Sequence, residues 1–180
     1  MRIEIADLTE DNLRDAPEWD SSPYSCKYCI YWEFLEECAD LSEKKENLQK
    51  KSGWLQNVNR VFGACGKIVY VDGTPVGYTQ YAPPALLPGS AHYPSGPPDK
   101  DAVLISCLFI PQKKYRHMGL GSQLLSNIIN DLRKKGVKAV ETFARKGNPN
   151  NPSGPAEFYI KNGFAIHKDD TEYPLMKLVL

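Results

Sequence analysis

Residues 103–125 have the sequence VLISCLFIPQKKYRHMGLGSQLL and contain three successive segments of different character. The first segment, residues 103–110, is almost entirely apolar, which predicts a strand buried on both faces, and Pro111 ends it because proline cannot donate to a sheet. A basic loop with two glycines follows, and then an amphipathic helix. Glycines allow a ligand to approach the backbone, and a helix N-terminus favours negative charge. This succession predicts a site for a phosphate-bearing ligand.

Two familiar phosphate-binding loops do not fit these residues. A P-loop requires a lysine directly after its last glycine, and no lysine follows Gly121. A Rossmann turn requires a third glycine where this chain has Leu124, and it begins directly after its strand. Here eight residues separate Ile110 from Gly119. A nucleotide site of either type is therefore excluded.

The pattern Arg116-x-x-Gly119-x-Gly121 resembles the acyl-CoA loop of the GNAT acetyltransferase superfamily, [QR]-x-x-G-x-[GA]. The upstream proline and the Leu-Leu pair at 124–125 strengthen the resemblance. The spacing from Pro111 to Arg116 is one residue longer than in the common form, which predicts a bulge before the loop. An ordinary glycine-bearing turn between strand and helix is the alternative interpretation.

Residues 156–164, AEFYIKNGF, are similar to a second segment of the same superfamily, A-x-x-[FL]-Y-x-x-x-G-F, with the spacing from Ala156 to Tyr159 one residue shorter. The resemblance implies that Tyr159 lies near the thioester sulfur and protonates the departing CoA thiolate. A phenol of pKa about 10 can donate to a thiolate whose thiol has a pKa of about 8.5. The superfamily often has an asparagine before this tyrosine, but Pro152 stands at that place, so the role is not assigned. The alternative is that Tyr159 is a half-buried residue of an amphipathic helix.

The resemblance also implies acetyl-CoA as the co-substrate and no metal. It implies that backbone groups of Leu108, Phe109 and Ile110 hold the acetyl group at the end of the central strand. The phosphates would be held by backbone N–H groups, with Arg116 nearby. The residues that would supply these N–H groups are His117, Met118, Gly119, Leu120, Gly121 and Ser122.

Acetylation of an amine requires a base, because an aliphatic ammonium has a pKa near ~10 and must lose a proton before attack. Glu33 is the first candidate, since it follows an aromatic segment in the region where the superfamily builds its acceptor site. Glu141, on the strand predicted beside the central one, is the second. For each, a surface carboxylate without a catalytic role is the alternative.

Cys26-x-x-Cys29 and Cys38 raise the question of a metal or redox site. Structural zinc needs four ligands, a second C-x-x-C is missing, and the three histidines are scattered. We therefore expect these thiols to pack among aromatic residues or to line the acceptor pocket, with a regulatory disulfide as the alternative. Cys107, in the apolar strand, is expected to be an inert core residue.

The order of predicted elements is that of an α/β domain with a mixed sheet, and the superfamily shows the same order. We predict one GNAT-like domain over residues 1–180, with a proline-rich loop insertion at 82–100. Asp72-Gly73 predicts a hairpin between two strands. The predicted strands are 2–6, 65–71, 74–81, 103–110, 137–144, 164–168 and 173–180. Three helices are predicted: one over 42–60 with a break or weak point at Gly53, one that Gly136 ends, and one over 155–162.

Composition limits the partners of the protein. The formal net charge of the 180 residues is zero, which argues against nucleic acid or an anionic membrane as a partner. No apolar run approaches the ~18 residues of a membrane helix, and the first residues do not resemble a signal peptide. An odd count of five cysteines then favours reduced thiols and a cytoplasmic location.

The sequence thus predicts an enzyme that moves an acetyl group from acetyl-CoA to an amine by direct attack in a ternary complex. A small-molecule amine and a peptide amine remain equally open as acceptors. Many relatives of the fold pair as dimers, so the resemblance includes a homodimer among its expectations. The alternative function is a non-catalytic acyl-CoA-binding or thiol-sensing module built on the same fold.

Overall fold

A computed structural model describes residues 1–19, 25–34 and 43–180. Cys38 lies outside these ranges. Seven strands form one sheet in the order β1-β2-β3-β4-β5-β7-β6. The strands are β1 Ile3–Asp7, β2 Gly66–Val71, β3 Thr74–Ala82, β4 Val103–Phe109, β5 Ala139–Phe143, β6 Ala165–Lys168 and β7 Leu175–Val179. The helices are α1 Lys44–Val61, α2 Leu120–Lys134 and α3 Ala156–Lys161.

The predicted mixed α/β sheet is confirmed, with β4 and β5 parallel and the remaining neighbours antiparallel. The hairpin at Asp72-Gly73 is present, with both residues in the left-handed region at φ 49° and 78°. A break at Gly53 is wrong, because α1 runs through it without interruption. The loop at 82–100 contains two short 3₁₀ turns, Pro84–Leu86 and Pro88–His92. Within the described residues, no helix has the length and apolarity needed to cross a membrane.

The central strand β4 is buried at every residue and separates two hydrophobic cores. Before a bulge at Ser106, Leu104 faces the core beneath α1 and Ile105 faces the core beneath α2. After the bulge, Cys107 again faces α1 and Leu108 faces α2. The extra residue at the bulge shifts by one position which side chains of β4 face each core, at the point where β4 stops pairing with the parallel strand β5.

β4 and β5 pair only as far as Ile105 and Thr142. Beyond that rung, within the residues that the structure describes, β4 continues to Phe109 without a strand partner on that side. We call the space between the two strands the strand gap. The loop between β5 and α3 reaches into the gap, where the Leu108 N–H donates to the Pro152 carbonyl over 2.8 Å. The strand gap opens toward the start of α2, which places the predicted acetyl and phosphate sites side by side.

Candidate active site

The basic loop between β4 and α2 is folded back against the end of the central strand. A 3₁₀ turn at Lys113–Tyr115 takes up the extra residue that the sequence predicts as a bulge. Arg116 then turns inward, and its Nε donates to the Ile110 carbonyl over 2.8 Å. Its Nη2 donates to the Pro111 carbonyl over 2.9 Å and to Asn150 Oδ1 over 2.8 Å. Arg116 thus braces the loop in this conformation, and its contact with a phosphate stays a prediction.

The backbone that follows Arg116 presents a row of N–H groups. His117 and Gly119 lie in the left-handed region at φ 62° and 78°, and α2 begins at Leu120. Among the described residues, nothing accepts a hydrogen bond from the backbone N–H groups of 117–122, whereas the Gln123 N–H already donates to the Gly119 carbonyl. Successive N–H groups in such a turn form a concave anion site, and the N-terminus of α2 adds positive potential. This row matches the phosphate site that the sequence predicts.

Gly121 has a second role in packing the site. A Cβ built on it would lie 3.3 Å from Cε2 of Phe158 on α3. The missing side chain therefore lets α3 approach the first turn of α2, and this close approach holds Tyr159 beside the strand gap.

Tyr159 is completely buried, so the alternative of a half-buried residue on an amphipathic helix is wrong. Its hydroxyl has no hydrogen-bond partner among the described residues. Burial raises the pKa of the Tyr159 phenol well above its ordinary value of 10, and the nearby Thr142 side chain opposes this only in part. Thr142 belongs to the last paired rung of β5, where its hydroxyl donates to the Ile105 carbonyl. A buried, protonated and unpaired hydroxyl therefore lies at the edge of the strand gap.

Glu33 lies on the opposite face of the sheet, beneath α1, and it is not a surface carboxylate, being 4 % exposed. Its Oε1 lies 3.0 Å from Lys51 Nζ and accepts from Gln80 Nε2 over 2.8 Å. Its Oε2 is buried and has no partner among the described residues. Gln80, which donates to Glu33, stands opposite Cys107 at the bulge in β4. Oε2 of Glu33 therefore lies at the level of the strand gap.

Lys51 supplies the positive charge for this buried carboxylate. Besides Glu33, its ammonium donates to the Cys26 and Cys29 carbonyls, each over 2.7 Å. Burial is the largest single influence and would lower the pKa of Lys51, but the Glu33 carboxylate acts together with Tyr78 and nearby thiols, and the pKa is raised. Lys51 therefore stays charged and ties α1 to the segment that carries Glu33.

Glu141 is also buried, so the surface alternative is wrong for it as well. Its Oε2 accepts from the Asp99 backbone N–H over 2.9 Å, and its Oε1 lies 3.3 Å from Lys177 Nζ. Burial raises the pKa of Glu141, and the Asp99 N–H opposes the rise. Asp99, Glu141 and His167 each carry an atom that could bind a metal ion, and these atoms lie within 4.8 Å of one another. The Lys177 ammonium pairs with Asp99 and Glu141, however, and already supplies the positive charge at this place. Glu141 pairs with Leu104 before the gap, where it anchors the end of the 82–100 loop.

Comparison with known families agrees with this geometry. The profile of the Acetyltransferase (GNAT) family matches residues 18–164. The chain belongs to this family. A comparison with curated protein sequences gave no match.

Solved structures share the GNAT fold over the whole chain. The PaiA N-acetyltransferase of Thermoplasma acidophilum, solved with coenzyme A, has 17% identity over 100% of both chains and a TM-score of 0.63. The ribosomal-protein-alanine N-acetyltransferase of Brucella melitensis has 18% identity over 98% of this chain and 99% of its own, with a TM-score of 0.61. The loading GNATL domain of CurA from Lyngbya majuscula has 14% identity over 99% of this chain and 98% of its own, with a TM-score of 0.60. The GNAT fold predicted from the sequence is therefore confirmed, and family membership supports acetyltransferase activity.

Several residues of this GNAT site were not found from the sequence. Lys51 lies in a lysine-rich helix, and its only signal is its spacing from Leu55 and Val58, which places it on the buried face. Gln80 and Asn150 carry no signal, because their partners are distant in the chain.

Aromatic rings form a wall on the α1 side of the site. Trp32, Tyr93 and Phe143 stack with interplanar angles of 6° to 17°, which joins the segment before α1 to the 82–100 loop and to β5. A Cβ on Gly89 would lie 2.3 Å from the Tyr31 carbonyl oxygen, so only glycine permits this approach of the loop. The wall therefore ties three distant parts of the chain together on the α1 side of the strand gap.

Proposed function

We propose that the protein transfers an acetyl group from acetyl-CoA to an amine acceptor by direct attack within a ternary complex. The observation that carries this proposal is the row of unpaired N–H groups at 117–122 beside the strand gap. The CoA diphosphate would accept from these groups, and its pantetheine would extend along the gap. Groups of Leu108, Phe109 and Ile110 would then orient the acetyl carbonyl. To reach the Leu108 N–H, the acetyl group must replace the Pro152 carbonyl.

Tyr159 supplies the proton for the leaving group. The amine attacks the thioester carbonyl carbon, the C–S bond breaks, and the departing thiolate takes the phenolic proton of Tyr159. Because burial raises the pKa of this phenol, it stays protonated through the neutral range.

Glu33 is the proposed base, directly or through a water molecule. Lys51 and Gln80 occupy its Oε1, which leaves Oε2 to take the proton of the attacking amine. The aromatic wall favours an acceptor with an apolar body, either a small-molecule amine or a peptide amine. The zero net charge supports acceptors other than nucleic acid or membrane, and we retain a cytoplasmic location and a homodimer as parts of the proposal.

An acceptor screen tests the proposed function. The protein is mixed with acetyl-CoA and a panel of small amines and peptides, and the released CoA thiol is measured. We expect turnover with at least one amine, and Tyr159→Phe should lower kcat by about 100-fold or more while the Kd for acetyl-CoA is unchanged. Tyr70→Phe is the matched control, because Tyr70 lies on β2 and its hydroxyl donates to the exposed Asp15, away from the strand gap. Equal activity of both variants would contradict the role of Tyr159.

One observation favours the second candidate, an acyl-CoA-binding or thiol-sensing module. The Pro152 carbonyl already occupies the Leu108 N–H, and several thiols gather on the α1 side. Tight binding of acetyl-CoA without thiol release across the whole panel would support that module and overturn the enzyme.

A further inference from the structure

The loop between β5 and α3 forms an arch whose two ends are held together. Arg145 and Pro155, on either side of it, form an isolated parallel bridge, and the Arg145 N–H donates to the Gly154 carbonyl over 2.8 Å. Gly147 and Gly154 lie just inside the two ends, in the left-handed region at φ 72° and 76°. Glycine adopts this region without a steric penalty, so the backbone angles at both ends can change at low cost. We call residues 147–153, between these ends, the plug loop.

Few polar contacts join the plug loop to the rest of the described chain. They are three hydrogen bonds: from the Leu108 N–H to the Pro152 carbonyl, from Arg116 Nη2 to Asn150 Oδ1, and from Asn151 Nδ2 to the Tyr173 hydroxyl. The bond from Arg116 to Asn150 is 2.8 Å long and has a charged donor, whereas the bond from Asn151 measures 3.2 Å. Hydrogen bonds with a charged partner are the stronger kind. We therefore call the bond from Arg116 to Asn150 the latch of the plug loop.

The loop covers two groups of the candidate active site at once. Its Pro152 carbonyl takes the Leu108 N–H, which the proposed function assigns to the acetyl carbonyl. Where the plug loop ends, a Cβ built on Gly154 would lie 3.3 Å from the Tyr159 hydroxyl oxygen, so the backbone lies directly against the phenol. Among the described residues, nothing in the plug loop accepts from the N–H groups of 117–122. In this position the loop closes the acetyl site and leaves the phosphate site open.

We propose that Asn150, through the latch to Arg116, sets how readily acetyl-CoA displaces the plug loop from the acetyl site. This inference rests on the proposed function. As acetyl-CoA binds, its thioester carbonyl takes the Leu108 N–H from Pro152, the loop moves out, and the latch breaks. Asn150 is a positioning residue, because it acts on the site through Arg116 and touches neither the acetyl group nor the acceptor.

The latch should affect only ligands that enter the strand gap. When the open form is a small fraction of the protein, the apparent Kd for acetyl-CoA is the intrinsic Kd divided by that fraction. A weaker latch raises the fraction and lowers the apparent Kd. Adenosine diphosphate carries a diphosphate for the N–H groups of 117–122 but no pantetheine arm, so it binds while the plug loop is closed. Its Kd should not depend on the latch.

NMR on the wild-type protein tests the displacement itself. The scalar coupling across the hydrogen bond between the Leu108 amide nitrogen and the Pro152 carbonyl carbon is measured in protein labelled with ²H, ¹³C and ¹⁵N. We expect this coupling in the free protein and with saturating adenosine diphosphate, and its loss with saturating acetyl-CoA. A coupling that persists with acetyl-CoA, or that is absent from the free protein, would overturn the proposal.

Calorimetry on variants of the plug loop tests the latch. Asn150→Ala removes one hydrogen bond to a charged group, so the Kd for acetyl-CoA should fall about tenfold while that for adenosine diphosphate stays the same. Asn150→Asp places a carboxylate beside the Arg116 guanidinium, so the ratio of the acetyl-CoA Kd to the adenosine diphosphate Kd should rise. Asn148→Ala is the matched control, because the Asn148 side chain accepts from the Asn150 N–H within the loop. An unchanged ratio in both Asn150 variants, or an equal fall in Asn148→Ala, would overturn the role of the latch.

Turnover separates this proposal from the proposed function. Acetyl transfer to an amine by the wild type, together with an unchanged Kd ratio in the Asn150 variants, would overturn the latch and leave the enzyme. Loss of the coupling between Leu108 and Pro152 with acetyl-CoA, without turnover of any amine, would refute acetyl transfer. The plug loop would then stand as the gate of an acyl-CoA-binding module.

Discussion

The polar groups beside the strand gap are of different kinds on the two faces of the sheet. Toward α2 the site consists of backbone N–H groups at 117–122 and one buried phenol, Tyr159. Toward α1 it consists of a buried ion pair, Glu33 with Lys51, and the thiols around it. The first face depends on the local conformation of a short segment. The second depends on residues that only the complete fold brings together, so substitutions on the two faces should have different effects.

The largest effect on stability is expected for Lys51→Met. The change leaves the Glu33 carboxylate buried without its cation, which costs about 3–5 kcal/mol when one partner of a buried pair is removed. Urea unfolding should show this loss, and adding Glu33→Gln to Lys51→Met should recover most of it, because no unpaired charge then remains. If the double variant is as unstable as Lys51→Met alone, the ion pair is not what stabilises this face.

Lys50→Met is the matched control on the same helix. Lys50 lies next to Lys51 and pairs with Glu46 on the surface over 2.9 Å. Surface pairs at this spacing contribute about 0.3–0.5 kcal/mol, so the control should be close to the wild type. A similar loss in both variants would indicate a general effect of removing lysine from α1.

The α2 face should respond to backbone strain, and Gly119→Ala measures it. Gly119 has φ +78° and ample space for a Cβ, so the substitution strains the backbone without a clash and costs about 1 kcal/mol of stability. Gly136→Ala, at φ +76° beyond the other end of α2, should cost the same. Calorimetry should show a rise of about tenfold in the Kd for CoA with Gly119→Ala and no change with Gly136→Ala. If Gly119→Ala and the wild type bind CoA with the same Kd, the backbone conformation of this loop does not contribute to CoA binding.

The smallest effect is a pH dependence on the α1 side, where Asp99 anchors the 82–100 loop. Hydrogen bonds from Lys177 and then His167 lower the pKa of Asp99 to about 2. Because the pKa is lower in the folded state than the ~3.9 of an unfolded chain, the stabilisation is complete above about pH 4 and is lost toward pH 2. Unfolding at several pH values should show Asp99→Asn less stable than the wild type at pH 6, with the difference closing as pH falls. If the difference in stability between Asp99→Asn and the wild type is the same at every pH, it comes from packing and not from the charge of Asp99.

The sequence specified the α2 face well because its signals are local. An apolar strand, a proline, two glycines and an amphipathic helix occur within residues 103–125, and each constrains its own backbone. The central strand and the positive φ of Gly119 follow directly from these residue types. The Gly53 prediction was wrong because helix propensity is a weak constraint beside the buried face formed by Leu55 and Val58.

The α1 face could be predicted only in outline. Aromatic density marked the segment around Glu33 as important, but no local pattern shows that Lys51 and Gln80 share its Oε1. The C-x-x-C motif drew attention to Cys29, but nothing in it shows that Cys26 is buried in the same hydrophobic core as Cys107, far along the chain. Whether a charge or a thiol is buried depends on residues that are distant in the sequence, and no local sequence pattern shows which residues these are.

The central claim is that a CoA diphosphate binds to the backbone N–H groups that begin α2. A titration of the ¹⁵N-labelled protein with CoA, followed by amide NMR, tests it most directly. We predict that the largest shifts occur at residues 117–122 and that Gly119→Ala reduces them. No shifts at saturating CoA, or largest shifts elsewhere with these residues unchanged, would contradict the claim.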